Sequence, residues 1–415
     1  MAKHSSGGRF SRRDFLEVGS GALVATAATS IAAAQTQSSR ARDNRSQSDP
    51  GPKNPPLDAQ NPDAIAPPST DAGGVPPFQY PFSLAHKRIH QGGWSREVTM
   101  RELAVAKSLA GVNMRLTAGG IRELHWHNAA EWAFMLYGSA RITAIDSDGK
   151  SFVADVGKND LWYFPTGIPH SIQGLGPDGA EFLLVFDDGA FSEYATVLLS
   201  EWMAHTPKSV LAKNFGVQEA ALQRMPTEEL FIFQAGLPGP LEEDQKAAAR
   251  GQGLSTDDFA FRTLQAPVTK RTRGGEVRII DSNVFKSSKN IAAALVTVRP
   301  GGVRELHWHP NADEWQYYIS GQGRMTVFAM AGRARTADFR AGDVGYVQQS
   351  MPHYIENTGD TDLQFLEMFK ASRYQDLSLS VWLTHTPPEL VMAHLNIDRA
   401  TLDAIPRDEA VNMPE

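Results

Sequence analysis

The sequence predicts an all-β fold built twice: two antiparallel barrel or sandwich domains in tandem, each ending in a helical segment. Three observations carry that reading. Residues 92–127 lie against residues 274–309 without a gap, 182 positions apart, and both stretches open on "GG" and close on "RELHWH". In each copy, runs rich in Val, Ile, Phe, Tyr and Trp, among them "GVNMRL", "FMLYGSARITAI", "LWYFP" and "EFLLVF", are separated by Gly, Asp or Pro turns at the spacing of short strands. After "HTP" in each copy comes a helix-like stretch suited to packing on the neighbouring half or on another subunit.

Length and composition agree. A chain of 415 residues exceeds one ordinary domain, and a hydrophobic fraction of 41% is enough for two cores. A formal net charge of −7 offers no basic field for gathering phosphates, which argues against a nucleic-acid partner. The chain has no cysteine, which excludes disulfides, thiolate metal sites and a cysteine nucleophile. Any chemistry therefore falls to His, carboxylates, Arg, Tyr or Ser.

From the N-terminus, residues 1–34 read as an address and not as structure. Arg12 and Arg13 precede an apolar run of small residues that ends in Ala32, Ala33 and Ala34, an arrangement resembling a twin-arginine signal peptide. It predicts export to the periplasm or the exterior. An amphipathic helix or membrane anchor is the competing reading, but the run is short for a permanent span. Residues 35–75 are dominated by Ser, Pro, Asp, Gln and Asn and read as a disordered leader. The first domain is placed at residues 76–236, a polar linker at 237–253 ("LPGPLEEDQKAAARGQG") and the second domain at 254–415. No later segment is long and apolar enough to cross a bilayer, so no stable membrane insertion is expected once the signal is removed.

The chemistry concentrates in the repeated motif, "RELHWHNAAEW" from Arg122 and "RELHWHPNADEW" from Arg304. In a strand, residues i and i+2 share a face, so His125 and His127 point together while Trp126 points away, and His307 and His309 do the same against Trp308. In a helix each pair would diverge by roughly 200°. Three residues separate His127 from Glu131 and four separate His309 from Glu314, so a loop must absorb the difference and return each carboxylate to the same centre. A third histidine arrives later in each copy, His170 in "FPTGIPHSIQ" and His353 in "VQQSMPHYIEN". Three neutral imidazoles and one carboxylate leave one or two positions open on a six-coordinate ion. Six of the 12 histidines fall in these two quartets, which sets aside the reading as ordinary core or surface histidines.

With these residues the chain resembles the cupin superfamily, whose domains are jelly-roll-like β-barrels. Gly119, His125, His127, Glu131 and Gly138 fit the first cupin motif, as do Gly301, His307, His309, Glu314 and Gly321; Pro165, Gly167 and His170 fit the second. Departures fall on turn residues: Asn159 and Gly174 in the first copy, Gln348 and Ser350 in the second. More narrowly, the chain from Phe78 onward resembles the bicupin oxalate decarboxylases, which convert oxalate to formate and carbon dioxide using manganese and dioxygen. The resemblance implies two Mn2+ sites per chain, oxalate as substrate, and a homo-oligomer, specifically a hexamer. Manganese follows from the resemblance alone, because imidazole-rich sites bind copper, nickel or zinc more tightly.

Oxalate is a small dianion, so an open metal face needs a nearby cation to hold the second carboxylate, and Arg does this with two parallel donors. Arg122 and Arg304 are the candidates. Each sits three residues before the first histidine, a spacing that in regular strand puts it on the opposite face, so a bulge must turn it inward; an exposed or interface salt bridge is the alternative. Formate production also needs a proton donor. The resemblance implies a lid glutamate, which "FSEYAT" supplies as Glu193, with Tyr194 and Ala195 replacing the family's central Asn and Ser. Burial under a lid raises such a carboxyl's pKa. Glu367 in "FLEMF" matches the other family glutamate and reads either as a second proton donor or as a hydrogen-bond partner of the metal site. Two other functions compete: an oxalate oxidase that gives hydrogen peroxide, and a non-catalytic storage or binding bicupin, against which two intact quartets argue.

Overall fold

Strand alternation places one face of every long strand in a core, and in the second half two sheets supply that core. A 7-stranded sheet runs from Gln79–Pro81 through Asp343–Val347, Glu314–Ser320, Leu363–Phe369, Ala292–Val298 and Gly275–Ile280 to Lys270–Thr272. Facing it, a 6-stranded sheet joins Arg333–Arg340, Gln322–Ala329, His353–Asn357, Val303–Trp308 and Leu377–Ser378, with Asn412–Met413 on Val303–Trp308. Val296 and Phe365 from the first sheet and Met325 and Ile355 from the second meet in one buried cluster. A computed structural model describes residues 51–65 and 74–414, so the stretch read as an export signal lies outside the described residues.

The first half repeats this plan, but its sheet is continuous. The long strand Glu131–Ile145 pairs at its start with Asp160–Phe164 and Ala180–Phe186 and at its end with Ser151–Gly157 and His170–Gly174. It turns the corner between the two faces at Gly138, where φ is +71° and a Cβ would lie 1.9 Å from Gly179 O. Gly321, with φ +82°, divides the equivalent strand of the second half in two. The four segments quoted from the sequence fall on the strands Ala110–Leu116, Glu131–Ile145, Asp160–Phe164 and Ala180–Phe186, and the stretches after "HTP" form the helices Lys208–Phe215 and Pro388–Leu395.

The halves exchange their leading strands. Gln79–Pro81, at the start of the first half, pairs antiparallel with Asp343–Val347 of the second. Ala260–Arg262, at the start of the second half, pairs with Asp160–Phe164 of the first. Each exchanged strand covers an edge that would otherwise be open to aggregation. Behind them, Trp315 is fully buried, and a Cβ at Gly111 would lie 2.3 Å from its ring, so the two cores meet at a glycine. Tyr346 joins the halves with polar contacts, its hydroxyl 2.6 Å from Asp313 Oδ2 and 2.7 Å from Ser108 Oγ.

Helix occurs within both the leader and the linker. The leader was expected to lack structure, yet it carries the short helices Pro55–Gln60 and Pro62–Ile65. Proline at a first helical position is pre-set for helix, and Asp63 Oδ2 accepts a 2.6 Å hydrogen bond from Thr336 N, a partner that composition does not reveal. The polar run 237–253 carries the helix Leu241–Ala248, tied to the first barrel by Gln245 Nε2 donating to Val153 O at 2.9 Å and by Arg141 donating to Asp244 at 2.5 Å. No helix among the described residues is long and apolar enough to cross a membrane.

Candidate metal centres

The strands Gly120–Trp126 and Val303–Trp308 each end just before the second histidine, and a short loop then carries the chain to a glutamate that opens the next strand. The loop has one more residue in the second half, which absorbs the spacing difference between the copies. His170 opens its strand opposite His125, and His353 opens its strand opposite His307. One ligand atom from each of His125, His127, Glu131 and His170 lies within 4.8 Å of all the others, and the same holds for His307, His309, Glu314 and His353. All eight side chains are buried.

The imidazoles are oriented for a cation. Every Nδ1 faces a backbone carbonyl: Glu123 O for His125, Ala129 O for His127, Ile168 O for His170, Glu305 O for His307, Gln375 O for His309 and Met351 O for His353, at 2.6–3.0 Å. A carbonyl only accepts, so Nδ1 carries the proton and Nε2 presents a lone pair to the centre. Nε2 of His170, His307, His309 and His353, together with Glu314 Oε2, is buried without a hydrogen-bond partner. Those lone pairs face the carboxylate across 2.8 Å at His353 and 3.5 Å at His170. Acceptor facing acceptor in a dry site is costly until a positive ion sits between them. The donor set therefore fits a divalent ion.

Titration behaviour points the same way. Burial, with Arg122 beside it, pushes His125 well down and keeps it neutral, and burial with Arg304 does the same to His307. Burial opposes ionisation of Glu131, yet the imidazoles of His127 and His170 beside it outweigh that and hold the carboxyl far below the usual range. At His309 burial lowers the proton affinity but Glu314 more than reverses it. That raised affinity expresses the same demand for a cation between Nε2 and Glu314 Oε2, which lie 3.1 Å apart.

Each ligand glutamate is held by a neighbour that sequence reading missed. Trp162 Nε1 donates to Glu131 Oε1 at 2.9 Å, and Gln316 Nε2 donates to Glu314 Oε1 at 2.7 Å. The glutamate inside "RELHWH" was also missed. Buried Glu123 accepts from Ser200 N, Ser200 Oγ, Leu230 N and Phe231 N, and Glu305 accepts from Ser378 Oγ and Val411 N. These carboxylates fasten the terminal segments onto the strand that carries the histidines. Their repetition was visible in the sequence; their long-range partners were not.

The arginines lie inward, through the bulge that their spacing requires. Pairing shifts register between Arg122 and His125 and between Arg304 and His307, and both guanidinium groups are buried. Their surroundings differ. Arg304 donates to Glu367 Oε1 at 3.2 Å, Tyr374 OH at 2.7 Å and Asp376 Oδ2 at 2.8 Å. Burial lowers its pKa, but Tyr374, Glu367 and Asp376 together raise it well above the ordinary value. The hydrogen bond of Arg122 among the described residues goes to Phe231 O at 3.3 Å, and its guanidinium stacks 4.2 Å from the Phe231 ring. Burial dominates there and lowers its pKa.

Glu193 begins a short 3-10 turn, Glu193–Ala195, and is buried, while Tyr194 is 72% exposed. Burial pushes its carboxyl up to about 6 against the pull of Arg122 and Ser95. Glu367 is pushed up to about 7 by burial, with Arg304 opposing. Trp126 and Trp308 alternate with the ligand histidines along their strands and rest edge-on against Trp202 and Trp382, at 5.5 and 5.7 Å between ring centroids.

Comparison with known proteins agrees with this geometry. The cupin family profile matches residues 83–223 and again 261–403. Oxalate decarboxylase OxdC of Bacillus subtilis is 54% identical over 359 residues, covering 86% of this chain and 92% of that protein. A probable oxalate decarboxylase of Arthroderma benhamiae is 41% identical over 357 residues, covering 85% and 87%. The structure of the Bacillus subtilis oxalate decarboxylase at pH 4.6 superimposes with a TM-score of 0.86 and 51% identity over 90% of this chain and 96% of that one. Another structure of that protein, with the same TM-score, identity and coverage of this chain and 98% of its own, comes from work on its Mn(II) centers. With two cupin domains, two His/Glu metal-binding sites and this similarity along nearly the whole described chain, the protein belongs to the bicupin oxalate decarboxylase family.

Proposed function

We propose that the chain is a manganese-dependent oxalate decarboxylase that makes formate and carbon dioxide with dioxygen as cofactor, and that its N-terminal centre carries the reaction. One observation supports that choice of centre: among the described residues the buried Arg122 guanidinium makes no ion pair with a carboxylate, whereas Arg304 is already neutralised by Glu367 and Asp376. A buried cation with unused donors beside an open metal face suits a dianion.

His125, His127, Glu131 and His170 would hold the manganese, which supplies Lewis acidity and one-electron chemistry when bound. Arg122 binds and orients the far carboxylate of oxalate. Its position on a rigid strand fixes the substrate for cleavage of the carbon–carbon bond. Glu193, whose pKa burial raises to about 6, gives its proton in its neutral form to the carbon left after carbon dioxide departs. The oxalate dianion and that proton thereby become formate and carbon dioxide, with a carbon–carbon bond broken and a carbon–hydrogen bond formed, and Glu193 regains its proton from solvent. At the C-terminal centre Glu367 serves as the partner of Arg304, and that ion remains structural.

Exposed apolar side chains recur at matching places in the two helical segments: Trp202 with Trp382, Val210 with Leu390, and Phe215 with Leu395. They support self-association, with a hexamer as the family's precedent, and light scattering tests it. We also read Arg12 and Arg13 as the core of an export signal to the periplasm or exterior. Replacing both with Lys and fractionating cells tests that reading, and unchanged export would contradict it.

The reaction is tested by supplying oxalate to manganese-loaded protein in air and measuring products. One formate per oxalate supports decarboxylation. Hydrogen peroxide without formate would mean that the exposed Tyr194 turn fails to deliver the proton and that the chain is an oxidase. No consumption would leave a binding protein.

A further inference from the structure

The acid at Glu193 is gripped from the strand Gly93–Val98 by two residues on one face. Ser95 is fully buried and its Oγ donates to Glu193 Oε2 at 2.6 Å. Two residues on, Glu97 Oε2 accepts from Glu193 N at 3.2 Å. One strand thus fixes the backbone and the carboxyl of the same residue. Without its partner, a hydroxyl in the middle of that buried face would be an unsatisfied polar group and a destabilising choice.

The duplication supplies an internal control. The position of Ser95 is taken in the second half by Val277, also buried, on the equivalent strand Gly275–Ile280. The segment between Phe369 and His385 is three residues shorter than that between Phe186 and His205, and it brings no equivalent of Glu193 to the strand. The hydroxyl is present in the half that has an acid to hold and absent from the half that lacks one.

We propose that Ser95 is a positioning residue of the N-terminal centre: its hydroxyl holds the Glu193 carboxyl in place and so sets the share of turnovers that end in formate. The inference rests on Glu193 being the proton donor. Ser95 occupies Oε2 and leaves Oε1 to carry the proton. The charged groups facing this carboxyl are Arg122, Glu97 and Arg88. On its outer side a cavity of about 230 Å3, lined also by His86, Arg96, Arg101 and Glu102, gives the acid a route for reprotonation from solvent. When the proton is delivered, the oxalate dianion takes it up and yields formate and carbon dioxide with no net oxidation. When it is late, oxalate passes two electrons to dioxygen, which takes up two protons and leaves as hydrogen peroxide with two carbon dioxide.

The test uses full-length manganese-loaded protein in air and compares Ser95→Ala, Glu193→Ala and the double variant. Formate and peroxide per oxalate, KM, the pH profile of kcat and metal per chain are measured. Ser95→Ala should lower kcat for formate about tenfold, the loss of one hydrogen bond to a charged group, while KM and metal content hold. The peroxide share should rise, and the alkaline limb of kcat should move to higher pH, because the ionised carboxylate has lost a donor. In the Glu193→Ala background the Ser95 change should do nothing further. An unchanged product ratio and pH limb in Ser95→Ala, an equal effect with or without Glu193, or loss of manganese as its main consequence would each overturn the assignment. If Glu193→Ala itself forms formate at the unmodified rate, the donor reading fails first and this one falls with it.

Discussion

Arg304 donates to Asp376 across 2.8 Å in the C-terminal half, and among the described residues no carboxylate reaches Arg122 in this way in the N-terminal half. One repeated arginine has been made into a structural ion pair and the other left as a buried cation beside a metal quartet.

Removal of the two arginines should therefore separate stability from activity. Arg122→Ala should reduce formate formation about a hundredfold, the loss of a charge-assisted hydrogen-bonded contact to substrate, with little change in denaturant midpoint. Arg304→Ala leaves Glu367 and Asp376 buried without their cation and should cost about 3–5 kcal/mol of stability, read from denaturant unfolding.

Ion removal should destabilise the fold at both centres. The buried lone pairs of His170, His307, His309 and His353 face carboxylates that need a cation between them. An ion present at about a thousand times its Kd contributes about 4 kcal/mol. Chelation should lower the thermal midpoint, metal analysis should return two ions per loaded chain, and neither change should be restored by monovalent salt.

Activity should depend on the protonated form of Glu193. Burial raises its pKa to about 6, so the neutral acid dominates below that value and is lost as pH rises through it. Formate production per enzyme should fall over that interval, and Glu193→Gln, which cannot give up a proton, should abolish the dependence along with the formate. A kcat profile settles it.

The exchanged strands make each half depend on the other's leading segment. Phe82, buried beside Tyr317 at 6.0 Å between ring centroids, lies at the start of the first half but packs in the core cluster shared with the second. Phe82→Ala should cost about 3–5 kcal/mol. Loss of the covering strand Gln79–Pro81 should expose the Asp343–Val347 edge and promote aggregation, measured by light scattering during thermal unfolding.

Much of the site was legible because its constraints are local. Period-two alternation placed His125 with His127, and the odd spacing of Arg122 demanded the bulge that the pairing shows before His125. The repeat doubled each argument. What stayed hidden was set by contacts between residues distant in sequence. Asp376 and Tyr374 follow no motif, yet they decide that Arg304 is occupied. Glu123 and Glu305 sit inside the motif, but their partners arrive from more than seventy positions away. The strand exchange likewise depends on Gln79–Pro81 finding an edge across the chain, and no pattern within those three residues announces it.

The most direct test is a crystal structure of manganese-loaded protein soaked with oxalate, with the ions located by anomalous scattering. Manganese should appear in both quartets, and oxalate should sit at the N-terminal ion with its far carboxylate on Arg122. Empty quartets, or oxalate at the C-terminal ion with Arg304 released from Asp376, would contradict the account.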